Sequence, residues 1–316
     1  MIIQAENLTR RFGLLVAVDS LCLDVAAGET FGLVGPDGAG KTTTLRLLAA
    51  VLRPSDGHAR VAGFDTVRQA EAIRAQVGYM PQRFSLYGDL SVRENLEFFA
   101  SIFGVGASKR EDRIVSLLRF AGLSDFQGRR GAQLSGGMQK KLALACTLIH
   151  EPSVLFLDEP TTGVDPVSRR EFWEILSELR LQGITIVVST PYMDEAERCS
   201  RVGLMYQGRL IVCDAPDRIK EMVAGQLIEL RPVAADDHER ALRRAREIAA
   251  GLAGVLETQT YGDLLHVLVD DAAVRLPVIR DSLLAAGIVA EGIRQTRPRL
   301  EEAFISLVRR QTDRTG

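Results

Sequence analysis

The run Gly35-Pro36-Asp37-Gly38-Ala39-Gly40-Lys41-Thr42 constrains this chain more than any other stretch. Its spacing is G-x-x-x-x-G-K-[ST], and its flanks give that spacing meaning. Thr30-Phe31-Gly32-Leu33-Val34 is a short apolar run ahead of it, and Thr42 to Leu52 follows with Leu45, Leu48, Ala49 and Leu52 at helical intervals. Strand, glycine-rich turn and helix in that order point backbone N–H groups at one place beside the positive end of a helix, which makes an anion site. Lys41 reaches the outer phosphates of a nucleotide held there, and Thr42 offers a hydroxyl to Mg²⁺. The expected product is ATP binding on an α/β scaffold.

The remaining pattern extends that scaffold. Ile2 to Glu6 and Val16 to Val25, interrupted by Arg10-Arg11-Phe12-Gly13 and Ala27-Gly28-Glu29, predict an antiparallel β layer. Val77 to Met80, Val154 to Leu157 and Ile184 to Val188 predict buried strands, with helices over Arg93 to Phe103, Arg110 to Ala121, Met138 to Ile149 and Val167 to Leu181. Strands alternating with helices imply a mainly parallel sheet. Near Ala224-Gly225 the pattern resets to β-α-β-β-α-β: strands at Gln226 to Arg231, Gly254 to Thr260, Leu264 to Val269 and Ile288 to Gln295, helices at His238 to Leu252 and Val274 to Ala286. A last helix is expected from Arg299 to Arg310, and Gly262-Asp263 reads as a hairpin turn. Two domains follow, 1–224 and 225–316, with 316 residues being ample for both at roughly 150 residues each.

Composition excludes several classes. With 39 Lys+Arg against 41 Asp+Glu the net charge is -2, so nonspecific nucleic-acid binding is not signalled, and the mixed-sign run Glu239 to Glu247 reads as a solvated helix face. No stretch reaches the roughly 18 apolar residues of a membrane span, and Met1 to Glu6 lacks a signal-peptide layout, so a cytosolic chain without direct membrane insertion is expected. Cys22, Cys146, Cys199 and Cys213 are dispersed and are expected to be small buried hydrophobes rather than zinc ligands or disulfides.

Val154 to Leu157 delivers Asp158 and Glu159 at a strand end, where nucleotide sites of open α/β sheets lie. Asp158 suits the Mg²⁺ shell, leaving Glu159 to orient an attacking water. Leu134-Ser135-Gly136-Gly137-Met138-Gln139 opens a helix, with Ser135 as its N-cap. Ser-Gly-Gly-x-Gln ahead of that acidic pair resembles the signature of the ABC ATPases, and the resemblance extends over about residues 2 to 222. It implies a P-loop NTPase core of ABC type, with a mainly parallel sheet, an antiparallel β subdomain and a helical subdomain at about 91–150, followed here by a small α+β domain. By the same resemblance Phe12 stacks on adenine, and Gly35 through Thr42 with Thr43 hold ATP. Gln82 touches Mg²⁺ and the attacking water and senses a membrane partner. Asp165 in Gly163-Val164-Asp165 lies at a dimer seam, and Leu134 to Gln139 serve a partner's site. Tyr192-Met193-Asp194-Glu195-Ala196-Glu197 and Arg297 to Phe304 are similar to ATP-binding subunits of multidrug-type exporters. The implied partners are a second ABC ATP-binding domain, identical or different, and separately encoded integral membrane permease subunits. The implied location is the inner face of the cell membrane. Phe84, Leu86, Tyr87, Phe98, Phe99 and Phe103 are candidates to line the permease groove, Phe84 and Tyr87 foremost.

The pattern breaks once where it matters. After Ile184 to Val188 the family carries a His that contacts the γ-phosphate, whereas this chain reads Ser189-Thr190-Pro191-Tyr192. Proline has no side-chain hydrogen bond and no backbone donor. The expectation is a slow or degenerate site on this chain's own loop, with its signature completing a competent site on a His-bearing partner. The alternatives are a homodimeric engine relying on Glu159, a nucleotide-gated regulatory subunit, and a non-transport ABC ATPase. A lesser departure is Asp37, where many relatives carry Asn; a carboxylate there weakens phosphate binding unless it turns away.

Overall fold

Two β layers enclose the helix that starts at Lys41. In the computed structural model, which describes residues 1–83, 86–234 and 238–315, β1 (Ile3–Phe12) and β2 (Leu15–Val25) pair antiparallel. β1 runs on through Arg10 and Arg11, which were expected to interrupt it, because bulges within the β1–β2 ladder absorb the irregular sequence. β3 (Thr30–Val34) is followed by α1 (Lys41–Leu48), β4 (Asp56–Val61), β5 (Phe64–Asp65), α2 (Ala70–Gln76) and β6 (Val77–Met80). The helical subdomain holds α3 (Val92–Ile102), α4 (Ala107–Phe120) and α5 (Gly136–Thr147). The chain then returns through β7 (Val154–Asp158), α6 (Pro166–Leu181), β8 (Thr185–Thr190), α7 (Met193–Ala196), β9 (Arg201–Tyr206), β10 (Arg209–Asp214) and α8 (Pro216–Glu221).

The first layer has strand order β2-β1-β4-β5 and is antiparallel; the second has order β10-β9-β3-β8-β7-β6. In the second, β3 pairs parallel with β8 and β9, and β7 pairs parallel with β8 and β6. β3, β7 and β8 are buried at every residue, as central parallel strands with both faces covered must be. Leu45, Leu47 and Leu48 of α1 are fully buried in one core with Val18, Leu21 and Val61 of the antiparallel layer and Phe31, Phe156 and Val187 of the parallel one. That packing fixes the entry of α1 against the C-terminal ends of β3 and β7.

The two compact units are Met1–Pro216 and Asp217–Gly316. The division lies at the start of α8, shortly before Ala224-Gly225. The second unit comprises β11 (Gln226–Val233), α9 (His238–Ala250), β12 (Val255–Tyr261), β13 (Leu264–Val269), α10 (Ala272–Ala285), β14 (Val289–Thr296) and α11 (Leu300–Thr315), with strand order β12-β13-β11-β14. Ala245, Ala249, Ile279 and Leu283 of α9 and α10 bury Ile228, Leu230, Leu265, Val267 and Val269. The alternate register of β13 carries the buried His266, whose Nδ1 lies 2.8 Å from Glu302 and Nε2 3.1 Å from Glu229. The side of β13 opposite Leu265, Val267 and Val269 thus sets His266 between two carboxylates next to the buried Leu268.

Cys146 and Cys199 are buried, and burial pushes the Cys199 thiol up to about 12. Cys22 is exposed and Cys213 half-buried, contrary to expectation: Cys22 occupies an outward register position of β2. Leu48→Ala is expected to cost about 3 kcal/mol, since the cavity is walled by two sheets that do not collapse together. The shift of the urea unfolding midpoint measures it.

Candidate functional site

The loop from Gly35 to Gly40 turns over the end of β3, and Gly40 caps α1 at φ 103°, with no side-chain cap and no acidic residue in the helix's first turn. A Cβ on Gly40 would stand 2.4 Å from the Ala17 carbonyl oxygen, so only glycine fits. The start of α1 therefore presents unscreened positive potential. Lys41 is 4% exposed, and its Nζ donates to the carbonyls of Gly35 at 2.8 Å and Pro36 at 3.0 Å and lies 3.5 Å from Glu159 Oε1. Asp37 is exposed.

β7 and β8 deliver the acidic half of the site. Asp158 Oδ1 accepts hydrogen bonds from Thr42 Oγ1 at 3.0 Å and Ser189 Oγ at 2.6 Å. Its other oxygen, Oδ2, is buried with no partner among the described residues. A buried carboxylate oxygen without a donor is costly, and a hard cation held by Asp158 and Thr42 oxygens would satisfy it. No group of three or more His, Cys, Asp or Glu side chains is placed to hold a metal ion among the described residues. The donor set thus fits Mg²⁺ that shares its shell with phosphate, not a metal caged by protein alone.

Glu159 takes φ 47°, a left-handed backbone uncommon outside glycine. Its N–H is shared between the carbonyl and the Oγ of Ser189, each at 3.1 Å, which holds the strained turn. Its side chain is fully engaged: besides Lys41, Oε2 accepts from Gln82 Nε2 at 2.7 Å and from Thr162 Oγ1 at 3.3 Å. Lys41, Thr42, Gln82, Asp158 and Glu159, expected from sequence to work together, do meet. Ser189, which links the Asp158 carboxylate to the Glu159 backbone N–H, was missed; a serine in Val188-Ser189-Thr190 carries no motif signal of its own.

Pro191 is half-buried after β8, in a loop braced from beneath. The buried Glu195 accepts from Thr161 Oγ1 at 2.5 Å and Thr190 Oγ1 at 2.8 Å, and Thr190 Oγ1 accepts from the Tyr192 N–H at 3.0 Å. This network ties the loop after β7 to the loop after β8 without contribution from Pro191. Tyr192 lies under the Arg169 guanidinium of α6, 5.3 Å from its ring centre.

The remaining candidates lie in three other places. Ser135 caps α5, accepting from the Met138 N–H at 3.3 Å. Gln139 Nε2 donates to the Gly131 carbonyl at 3.1 Å, so its amide braces its own loop. Leu134 is buried, Gly136 is exposed, and a Cβ on Gly137 would sit 2.4 Å from Ser168 Oγ, which marks a close approach of α5 to α6. Asp165 caps α6, and the bond it accepts from the Ser168 N–H holds its carboxyl below the ordinary value. Phe12 is 46% exposed at the end of β1 rather than in the hairpin core, with the Arg10 guanidinium 4.5 Å from its ring. Tyr87, Phe98 and Phe99 form a row of edge contacts, Tyr87 to Phe98 at 4.4 Å, whereas Phe103 stacks separately on His150 at 3.9 Å. Phe84 lies outside the described residues.

The family profile described as ABC transporter matches residues 18–162. The daunorubicin resistance ATP-binding protein DrrA2 of Streptomyces coeruleorubidus is 37% identical over 314 residues, spanning 99% of this chain and 97% of that protein. The chain belongs to the ABC transporter ATP-binding proteins. Another relative, the probable multidrug ABC transporter ATP-binding protein YbhF of Escherichia coli, is 41% identical over 292 residues, 92% of this chain but 49% of that protein. The ABC chain therefore spans about half of that relative's length. Among solved structures, a dimeric ATP-binding cassette in a post-hydrolysis state bound to ADP and Pi matches with TM-score 0.62 and 25% identity, over 67% of this chain and 98% of that one. A part of an ABC transporter complex from Clostridium perfringens matches with TM-score 0.65 and 27% identity, over 70% and 91%. Both cover about the share of the ABC chain that its first compact unit represents.

Gly40→Ala is expected to lower ATP affinity at least tenfold, because the loop must move off Ala17 to admit the methyl group. Asp37→Asn is expected to change it less than about threefold, its side chain already facing solvent. Titration calorimetry with ATP on both variants measures the contrast.

Proposed function

We propose that this chain is the ATP-hydrolysing subunit of an ABC exporter, working in a dimer of ATP-binding domains on separate integral membrane permease subunits at the inner face of the membrane. The observation that carries the reading is the meeting of Lys41, Thr42, Gln82, Asp158 and Glu159 at the ends of β3 and β7. Export as the direction rests on relatives described as daunorubicin resistance and Nod factor export ATP-binding proteins. ATP binding is assigned to residues 1–224, and an accessory role in dimerisation or regulation to 225–316.

The chain's own groups divide the work. The loop and the start of α1 bind the phosphates, and Lys41 exchanges the Gly35 and Pro36 carbonyls for phosphate oxygens, which bring it stronger, charge-assisted bonds. Its departure also frees Glu159 Oε1 to face a water on the γ-phosphate, with Gln82 and Thr162 holding Oε2. Asp158 and Thr42 would hold Mg²⁺, which when bound would supply charge neutralisation on the terminal phosphates. Phe12 offers an exposed ring for the adenine. The segment Leu134 to Gln139 completes the nucleotide site of the second domain, and Asp165 lies at the seam between the two domains.

Pro191 favours a slow site on this chain. It leaves the γ-phosphate without the family's His contact, and a missing contact of that kind costs about 10²-fold in rate. The intact signature then completes a faster site on a His-bearing partner domain. The regulatory-subunit reading rests on the same proline and differs only in assigning the chain almost no turnover.

Steady-state Mg-ATP hydrolysis by the purified chain is the test, with Glu159→Gln as background and nucleotide binding followed in parallel. The expected outcome is tight binding, turnover within a few fold of background, and a rise of tenfold or more in Pro191→His. Turnover by the unaltered chain equal to that of Pro191→His would instead make it a homodimeric engine in which Glu159 suffices.

A further inference from the structure

Two consecutive lysines on α5 do different things. Lys141 makes an ion pair with Glu171 of α6 at 2.5 Å, at the helix surface. Lys140 turns inward: its Nζ donates to the main-chain carbonyl of Gln82 at 3.0 Å. The side-chain amide of that same Gln82 donates to Glu159 Oε2 at 2.7 Å. A continuous chain of contacts thus runs from the helix opened by Ser135, through one ammonium group, to the carboxylate that faces the attacking water.

The environment of Lys140 differs from that of a solvated surface lysine. Burial drives its ammonium below the ordinary lysine range, and the fields of Glu159 and Asp158 oppose that shift. Holding a four-carbon stem in one rotamer costs conformational entropy, and a single bond to a neutral carbonyl does not by itself offset it. The carboxylates behind the carbonyl explain why the group stays. The position is also open to change: a cleft of about 370 Å³ lined by Gln82, Gln139, Lys140, Thr162 and Gly163 leaves the stem room to swing. Once Lys41 turns to phosphate, Lys140 is a second cation whose field still reaches both acids.

We propose that Lys140 is a positioning residue that ties the signature helix to the water-orienting pair Gln82 and Glu159, so that the placement of α5 sets how well this chain's own site hydrolyses ATP. It acts through Gln82 and touches neither nucleotide nor water. The inference deepens the ATPase reading and rests on it, so one arm of its test is independent of hydrolysis.

The kinetic arm uses the full chain in the Pro191→His background. Lys140→Met is expected to lower kcat about tenfold while the ATP dissociation constant stays within twofold, and Lys140→Arg, which retains a donor and a charge, to restore at least half of the lost rate. The second arm is amide hydrogen exchange of nucleotide-free protein, where Lys140→Met is expected to speed exchange in residues 80–83 and leave α1 unchanged. Parallel loss of kcat and ATP affinity, or failure of Arg to rescue, overturns the proposal in favour of a packing role. Wild-type exchange at residues 80–83 in Lys140→Met overturns it outright. If no version of the chain hydrolyses ATP, the ATPase reading fails by itself, and the exchange arm alone decides whether Lys140 holds Gln82.

Discussion

Two adjacent carboxylates, Asp158 at 1% exposure and Glu159 at 7%, sit at the end of a fully buried strand, and the surrounding structure is organised round keeping them there. Removing a charge from water is tolerable only with dense compensation. Asp158 has hydroxyls from Thr42 and Ser189, and the Glu159 carboxylate has Lys41, Gln82 and Thr162. These partners come from α1, the loop after β6, β8 and the loop after β7, so the packing of each element is a condition on the geometry of the site. The free Asp158 oxygen marks the one demand that protein alone does not meet.

The helix that begins at Lys41 is the mechanical counterpart of that electrostatic arrangement. Its apolar side chains are held between two sheets of different character, one antiparallel and one mainly parallel. With that helix clamped, the phosphate loop has little freedom at its far end, and the Gly40 turn against Ala17 removes much of the remainder. An anion entering the loop meets donors already placed, so little ordering entropy is lost on binding.

How much of this was legible beforehand depended on whether a residue's chemistry is visible locally. The phosphate loop, Asp158 and Glu159, and the Ser135 cap announce themselves through spacing, because glycine, lysine and paired acids at those intervals have few other uses. The parallel strands β3, β7 and β8 were readable as apolar runs. Strands β4, β9 and β10 were not, since Asp56 to Val61 and Arg209 to Asp214 are short, mixed and stabilised by pairing across the sheet. Ser189, Thr161 and Lys140 were silent for a related reason: each matters through a partner far away in sequence, and a hydroxyl or ammonium has no signature apart from what it meets. The exposure of Cys22 shows the converse, a residue type pointing inward by habit and outward by register.

The positive φ of Glu159 has a consequence for how such a chain changes over generations. A left-handed glutamate gives up roughly 1 to 2 kcal/mol that glycine at the same place would keep. Selection for stability alone would therefore drift toward glycine at this turn, and each step would strip the site of its carboxylate. An acid in that backbone is strain that only the work of its carboxylate can offset, so this turn is a place where robustness and chemistry pull the sequence in opposite directions.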